Sequence, residues 1–346
     1  MGRKRKAGFA SILSSLPPDV KLSFVPNPNG TEEHELLEPS SVEVEDLIVQ
    51  RVHVSQSTPK PSQILAAETL GATLDAPTAP ARKKQKVSAS SSSPMLSLED
   101  ISKSVTLHYK TQKNVPQHLR KYFAQRHRFF SLYDEGCLLD EEGWYSVTPE
   151  KIALQIAERC RCDTVVDAFC GVGGNAIAFA QTCERVIALD ISPTRLAIAR
   201  HNAGIYGVAD RIEFILCDYV SFARSLASQG RRVDVVFLSP PWGGPSYISS
   251  STGAASAPDS EDVQSSVYTL NNLLPISGIE LFAISHKISR NIAMYLPRNT
   301  DVAEIGGLAP PGEKVEIEEE WMGSKLKALT CYFGGLARGQ GHLFVD

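Results

Sequence analysis

The chain is 346 residues long, 42% hydrophobic and 21% charged, with a formal net charge of −4. That is enough apolar content for a sizeable core, and the balance excludes a polybasic nucleic-acid binder as a description of the whole chain, though not a local basic patch. No apolar run approaches the about 20 residues that cross a bilayer, and seven cysteines without a paired framework fit a soluble protein of a reducing compartment, with no membrane partner.

Residues 1–98 are expected to be largely disordered. Prolines recur (Pro26, Pro28, Pro59, Pro61, Pro77, Pro80), an acidic run spans Glu32 to Glu38, and a Ser-rich patch closes the region at Val87–Pro94. Few aromatics are present to offset the ordering entropy. Val42–Val54 is more apolar and has the length for a short element. Two basic clusters, GRKRK at residues 2–6 and RKKQK at residues 82–86, read as nuclear-localisation signals or RNA-touching arms. The expected location is therefore the nucleus, with the nucleolus and the cytoplasm as further places.

Residues 99–162 are expected to form an α-helical extension. Gln117–Tyr133 is rich in Arg, Lys and aromatics, and a second helix is expected over Pro149–Cys160 with Thr148 as N-cap. From residue 163 to 346 the texture is that of an α/β domain, in which apolar runs alternate with amphipathic helical stretches. Strands are expected at Val165–Phe169, Arg185–Asp190, Arg211–Leu216, Val233–Leu238 and Ile279–Ser285, with a final pair at Lys314–Glu319 and Lys327–Phe333. A helix after the second strand starts at Ser192 as N-cap and Pro193 in the first turn, buries Leu196, Ala199 and Ala203, and stops at Gly207. Residues 248–266 (ISSSTGAASAPDSEDVQSS) read as a flexible insertion.

Two motifs carry chemistry. DAFCGVGG, Asp167 to Gly174, follows a strand and opens a helix. Its glycines let the backbone approach a nucleotide-like ligand, and the helix N-terminus offers N–H groups. The spacing is not that of a dinucleotide loop. An acidic residue at the strand tip suits an ammonium group, which S-adenosyl-L-methionine carries where a dinucleotide carries phosphates. Asp190 ends the second strand, where ribose hydroxyls are held in Rossmann-type sites, and Asp218 follows the third, placed to accept from an adenine amino group. Each aspartate alone would be a turn or cap residue; in register with the glycines they indicate a cationic, ribose-bearing cofactor.

The second motif is Ser239-Pro240-Pro241-Trp242, followed by GGPSY up to Tyr247. It suits methylation of an exocyclic amine on a planar ring, whose lone pair is delocalised. A hydroxyl and a prolyl-region carbonyl accept the two N–H bonds, and the aromatic residue stacks on the ring and fixes the approach. An indole favours a cationic ring such as 7-methylguanine. Cys160-Arg-Cys162 is a lone C-x-C without a second ligand pair, and Cys170 reads as a small packed residue; no metal is expected.

The stretches VVDAFCGVGGNAIAFA (165–180), DISPTRLAIARHNAGIYGVADRIEFILCDY (190–219) and FLSPPWGGPSY (237–247) closely resemble trimethylguanosine synthases, as do 121–136, 142–153 and 295–302. The resemblance spans roughly 115 to 338. It implies a class I, Rossmann-like methyltransferase with a seven-stranded, mostly parallel sheet, helices on both faces and an antiparallel last hairpin. The implied reaction is transfer of two methyl groups from S-adenosyl-L-methionine to the 2-amino group of the 7-methylguanosine RNA cap. The implied substrates are small nuclear and small nucleolar RNAs, met free or as ribonucleoproteins, and the enzyme is expected to be monomeric. By the same resemblance Trp242 stacks on the methylated guanine with Ser239 and Pro240 on the reacting side. Asp167, Phe169, Gly171, Gly173, Asp190 and Asp218 hold the cofactor, Phe130, Ser146 and Thr148 close over it, and Lys121, Tyr247 and Arg298 contact the cap triphosphate. Rival readings are an amino methyltransferase acting on adenine in RNA or DNA or on protein glutamine, and a non-catalytic cap-binding scaffold.

Overall fold

A computed structural model of the chain describes residues 108–243 and 267–338 in full, and the backbone of 47–54. The basic clusters, Tyr247 and the 248–266 insertion lie outside the described residues. Strands β1 (Leu47–Val54), β2 (Thr164–Asp167), β3 (Arg185–Asp190), β4 (Ile212–Leu216), β5 (Val235–Leu238), β6 (Asn291–Pro297), β7 (Val315–Met322) and β8 (Lys325–Phe333) form one sheet in the order β1-β7-β8-β6-β5-β2-β3-β4. All pairings are parallel except those of β8, which runs antiparallel to β6 and β7. Seven of the strands make the mostly parallel sheet with an antiparallel last hairpin that the resemblance implies. The eighth, β1, comes from the apolar stretch noted in the N-terminal region and lies in register along β7, Leu47 opposite Val315 and Val54 opposite Met322. Its backbone pairs an edge that would otherwise present open N–H and C=O groups.

Helices α1 (Glu150–Arg159), α2 (Gly174–Thr182), α3 (Pro193–Ile205), α4 (Tyr219–Ser228) and α5 (Gly278–His286) surround the sheet. The alternation of strand side chains splits the core into two clusters. One holds Val165, Phe179, Val186 and Phe237 with the extension; the other holds Val166, Leu189, Phe222, Leu238 and Met294. Helix α3 starts and stops as its sequence directs. Ser192 caps it by accepting from Arg195 N at 3.3 Å, and Gly207, with φ +67°, ends it. Val208 N then reaches Ala203 O at 3.0 Å and Gly207 N reaches Gly204 O at 3.1 Å, the paired bonds of a Schellman stop.

Three expectations are corrected. Ile279–Ser285 is not a strand but most of α5, capped by Ser277, which accepts from Glu280 N at 3.2 Å. Ile279 is half exposed while Leu281, Phe282, Ile284 and Ser285 are buried. A short apolar run does not distinguish a buried strand from a buried helix, and the cap decides it. The strand of that region is β6, ending at Pro297. At α1 the N-cap is Pro149, not Thr148, and the Thr148 hydroxyl accepts from Asn175 instead.

Gln117–Tyr133 is a chain of short turns rather than one helix, with α-helical turns at Arg120–Phe123 and Arg126–Phe129 between 3-10 turns at Gln117–Leu119 and Tyr133–Glu135. Phe129 and Phe130 are both buried although adjacent, which requires the extended backbone of Phe130 (φ −136°, ψ 115°). These aromatics are also weak helix formers.

Candidate active site

The carboxyl ends of β2 and β5 lie side by side, Asp167 opposite Phe237. From β2 the chain proceeds outward to β3 and β4, while β5 and β6 lie on the other side. This is the switch point of an open α/β sheet, where a crevice forms and ligands bind.

Asp167 ends β2 at that switch point. It is fully buried, and neither carboxylate oxygen has a hydrogen-bond partner of normal geometry. Burial pushes its carboxyl up to about 7, and the Asp190 charge adds to this against the pull of the Phe169 and Ala176 amides. A buried carboxylate held only by poorly aligned amides is costly unless something cationic or donating completes it. An ammonium-bearing ligand meets that need, so the site fits S-adenosyl-L-methionine.

The glycine turn hugs this carboxylate. Cys170 N donates to Leu189 O at 2.8 Å and Gly173 N to Cys170 O at 2.9 Å. Gly173, the N-cap of α2, has φ +94°, and a Cβ there would lie 3.1 Å from Ala199 of α3. Only glycine suits both the backbone and the close helix approach. Asp190 grips the turn: Oδ2 accepts from Gly171 N at 3.0 Å and Oδ1 from Ser192 N at 2.8 Å. Burial raises its carboxyl despite these bonds. Each oxygen has a second lone-pair site for a ribose hydroxyl. Asp218 caps α4, with Oδ2 accepting from Ser221 N at 2.9 Å and Ser221 Oγ at 2.8 Å. Phe169, half-buried, packs against Tyr219 with ring centroids 5.7 Å apart.

The second motif joins the first directly. The Ser239 hydroxyl donates to Phe169 O at 3.3 Å. Pro240 is buried, and Trp242 is half-buried with its indole 5.3 Å from the Tyr295 ring of β6, centroid to centroid, at 34°. The segment before α1 lies over the glycine turn: Thr148 is buried and bonded to Asn175 at 3.0 Å, Val147 packs where a Cβ on Gly174 would fall, and Ser146 is exposed. Phe130 is buried, with its ring centroid 6.1 Å from that of Tyr206 of the α3 C-cap. Lys121 is exposed, its ammonium 5.1 Å from the Tyr122 ring centroid. Asp167, Phe169, Gly171, Gly173, Asp190, Ser239 and Thr148 are thus brought to one end of the sheet. Lys121 and Phe130 stand on the extension and Arg298 on the loop after β6.

Sequence reasoning missed three features. Asn202 of α3 is fully buried and bonds both backbone groups of Leu138 (2.8 and 3.0 Å) and Val172 O at 3.0 Å, tying the extension to the glycine turn. Arg195 adds ion pairs to Asp140, at 3.2 Å, and to Glu142. Arg298 is not alone: its guanidinium reaches Leu326 O at 3.5 Å, between Lys325 and Lys327. Burial and then Lys325, Arg128 and Arg298 push the Lys327 amine down. Two lysines spaced by one residue before the apolar run of β8 were the available signal.

A family model described as RNA cap guanine-N2 methyltransferase matches residues 162–336. A trimethylguanosine synthase of Schizosaccharomyces pombe is 40% identical over 232 residues, 65% of this chain and 90% of that protein. The chain belongs to the RNA cap guanine-N2 methyltransferases. A trimethylguanosine synthase of Saccharomyces cerevisiae is 33% identical to this methyltransferase over 240 residues, 65% of this chain and 71% of that protein. A methyltransferase from Geobacter sulfurreducens, a solved structure 13% identical, overlaps 69% of this chain and 98% of that one at a TM-score of 0.36.

Proposed function

We propose that this cap methyltransferase transfers two methyl groups in succession to the exocyclic 2-amino group of 7-methylguanosine-capped RNA, giving the 2,2,7-trimethylguanosine cap. The observation that carries the reading is the hydrogen bond of Ser239 to Phe169, which sets an amine-positioning motif against the buried Asp167 carboxylate, whose oxygens lack a hydrogen bond of normal geometry. S-adenosyl-L-methionine, when bound, supplies an electrophilic methyl group on a sulfonium centre. Asp167 would hold its ammonium group, Asp190 its ribose and Asp218 the adenine side, while Phe169, Gly171 and Gly173 shape the cradle and Phe130, Ser146 and Thr148 border it.

Trp242 stacks on the methylated base and stabilises its positive charge. Ser239 Oγ and the Pro240 carbonyl accept the two amine N–H bonds and turn the nitrogen lone pair toward the methyl group. No residue is needed as a dedicated base, because the charged ring acidifies its own N–H. The cap triphosphate and the following chain are anionic, and Lys121, Tyr247 and Arg298, joined by Lys325, Lys327 and Arg128, supply matching charge and donors. Small nuclear and small nucleolar RNAs, free or in ribonucleoproteins, are the proposed substrates, the proposed active form is a monomer, and the two basic clusters of the N-terminal region support a nuclear location.

The test is labelled methyl transfer to a 7-methylguanosine-capped oligonucleotide beside its unmethylated-cap counterpart, with products resolved after nuclease digestion. Label in di- and trimethylguanosine from the methylated cap alone is expected. Label on both caps would overturn the role of ring charge, and no label with both ligands bound would favour a cap-binding scaffold.

A further inference from the structure

Cys162 and Cys183 are placed opposite each other by the sheet itself. The parallel pairing of β2 with β3 begins with Thr164 opposite Arg185. Hydrogen bonds continue behind it: Arg185 N donates to Asp163 O at 2.9 Å and Glu184 N to Cys162 O at 3.3 Å. Counting back in register sets Asp163 opposite Glu184 and Cys162 opposite Cys183. Neighbouring strands run about 4.8 Å apart, within the Cα separation of about 4.4–6.8 Å that a disulfide spans. Both side chains turn the same way, and their sulfurs are 3.9 Å apart. Cys162 is partly exposed, whereas Cys183 and the other five cysteines are buried.

We propose that Cys162 and Cys183 are a redox modification site that closes to a reversible disulfide in exchange with low-molecular-weight disulfides. The Cys162 S–H donates to the Cys183 sulfur, which lowers the Cys183 thiol and holds the Cys162 thiol up. The first ionisation belongs to the pair, and the S–H···S contact lets the remaining proton sit on either sulfur. Exchange begins at the accessible partner. The Cys162 thiolate attacks one sulfur of the small disulfide, a mixed disulfide forms, and one small thiol leaves with a proton. Cys183 then loses its proton, attacks the Cys162 sulfur and expels the second small thiol. Two protein thiols are oxidised and one small disulfide is reduced to two thiols. Rotation of two side chains closes the remaining gap.

The loop so closed, residues 162–183, contains β2, the glycine turn and α2. The bridge lies at the amino ends of β2 and β3, the far end from Asp167 and Asp190. It therefore constrains the unfolded chain without touching the crevice. Disulfides in reducing compartments are characteristically transient and responsive to oxidant, which suits a pair already in register.

The test incubates the full-length protein with oxidised glutathione, alkylates remaining thiols and maps a non-reducing digest by mass spectrometry. The expected result is loss of two thiols, a Cys162–Cys183 cross-linked peptide, a higher Tm and reversal of all three by dithiothreitol. In Cys183→Ser the reaction should stop at a glutathione adduct on Cys162, and Cys162→Ser should take up none at either position. A persistent adduct on wild-type Cys162, a Cys160–Cys162 bridge, or two unreacted thiols would each overturn the proposal. The wild-type map decides it even where a variant folds poorly.

Discussion

The Ser239 hydroxyl spends its single proton on the Phe169 carbonyl, 3.3 Å away. With its donor committed, the oxygen can only accept from any further partner, as the proposed role toward an amine N–H requires. The same bond holds the end of β5 against the glycine turn. Ser239→Ala removes one acceptor in the transition state, worth about 1–1.5 kcal/mol, so kcat should fall about tenfold. Cofactor affinity should change by less than threefold, since Asp167 and Asp190 are untouched. Single-turnover rates beside cofactor titrations check this, and an unchanged rate would remove Ser239 from the chemistry.

Trp242 is backed by Tyr295 at 5.3 Å, so its indole has a firm support. Stacking a base on an aromatic ring contributes about 1–3 kcal/mol, and ring charge adds about 0.5–2 kcal/mol. Trp242→Ala should weaken binding of a 7-methylguanosine nucleotide about 100-fold while leaving cofactor binding within twofold. Trp242→Phe should retain most stacking but narrow the preference for the methylated over the unmethylated nucleotide. Fluorescence titrations with both nucleotides report the two terms separately; equal affinity of wild type and Trp242→Ala for the cap would rule out stacking.

What was legible in the sequence divides along physical lines. Helix α3 was readable at both ends because a Ser-Pro start and a Gly stop are local chemistry, and both are made by neighbouring backbone groups. The strand-end positions of Asp167 and Asp190 were readable because apolar runs that stop at an aspartate mark where parallel strands end. Helix α5 was not: its apolar run fits either period, and only the Ser277 cap separates them. Asn202 was invisible for a different reason. Its partners Leu138 and Val172 come from distant parts of the chain, and nothing near it in sequence indicates that a helical asparagine faces inward. Aspartate or asparagine at a cap advertises itself locally, whereas a buried one is recognised only by what folds around it.

Asp167 gives the site a pH dependence of definite sign. Its carboxyl, raised to about 7 by burial, is largely neutral below that pH and charged above it. A ligand ammonium requires the charged form. Cofactor affinity should therefore rise about tenfold per pH unit up to about 7 and level off above it. The folded value lies above the unfolded one, so this group favours the ligand-free fold at low pH and withdraws that support as pH rises from about 4 to 7. Cofactor-induced stabilisation should accordingly be larger at pH 8 than at pH 6. Asp167→Asn should bind more weakly at pH 8 and lose the slope. Calorimetric titrations at several pH values decide it, and an equal slope in wild type and variant would place the ionisation elsewhere.

Asn202 braces the glycine turn through its backbone. Its amide completes three backbone groups, the N–H and C=O of Leu138 and the C=O of Val172 inside the glycine turn. Asn202→Ala leaves them unpaired in a region with no exposure at that side chain, at about 1–3 kcal/mol per stranded group before relaxation. A net loss of about 3 kcal/mol is expected, and a Tm lower by about 6–12 °C. Asn202→Asp is the informative companion. The carboxylate still accepts from Leu138 N but cannot donate to either carbonyl, and it buries a charge, so it should be no better than alanine despite its shape. Both variants should also bind cofactor more weakly at temperatures where they are fully folded, because Val172 lies within the turn that carries Gly171 and Gly173. If thermal melts fell as expected while cofactor affinity held, Asn202 would be a structural residue alone; if Tm stayed within a degree of wild type, the three bonds would not be made in solution.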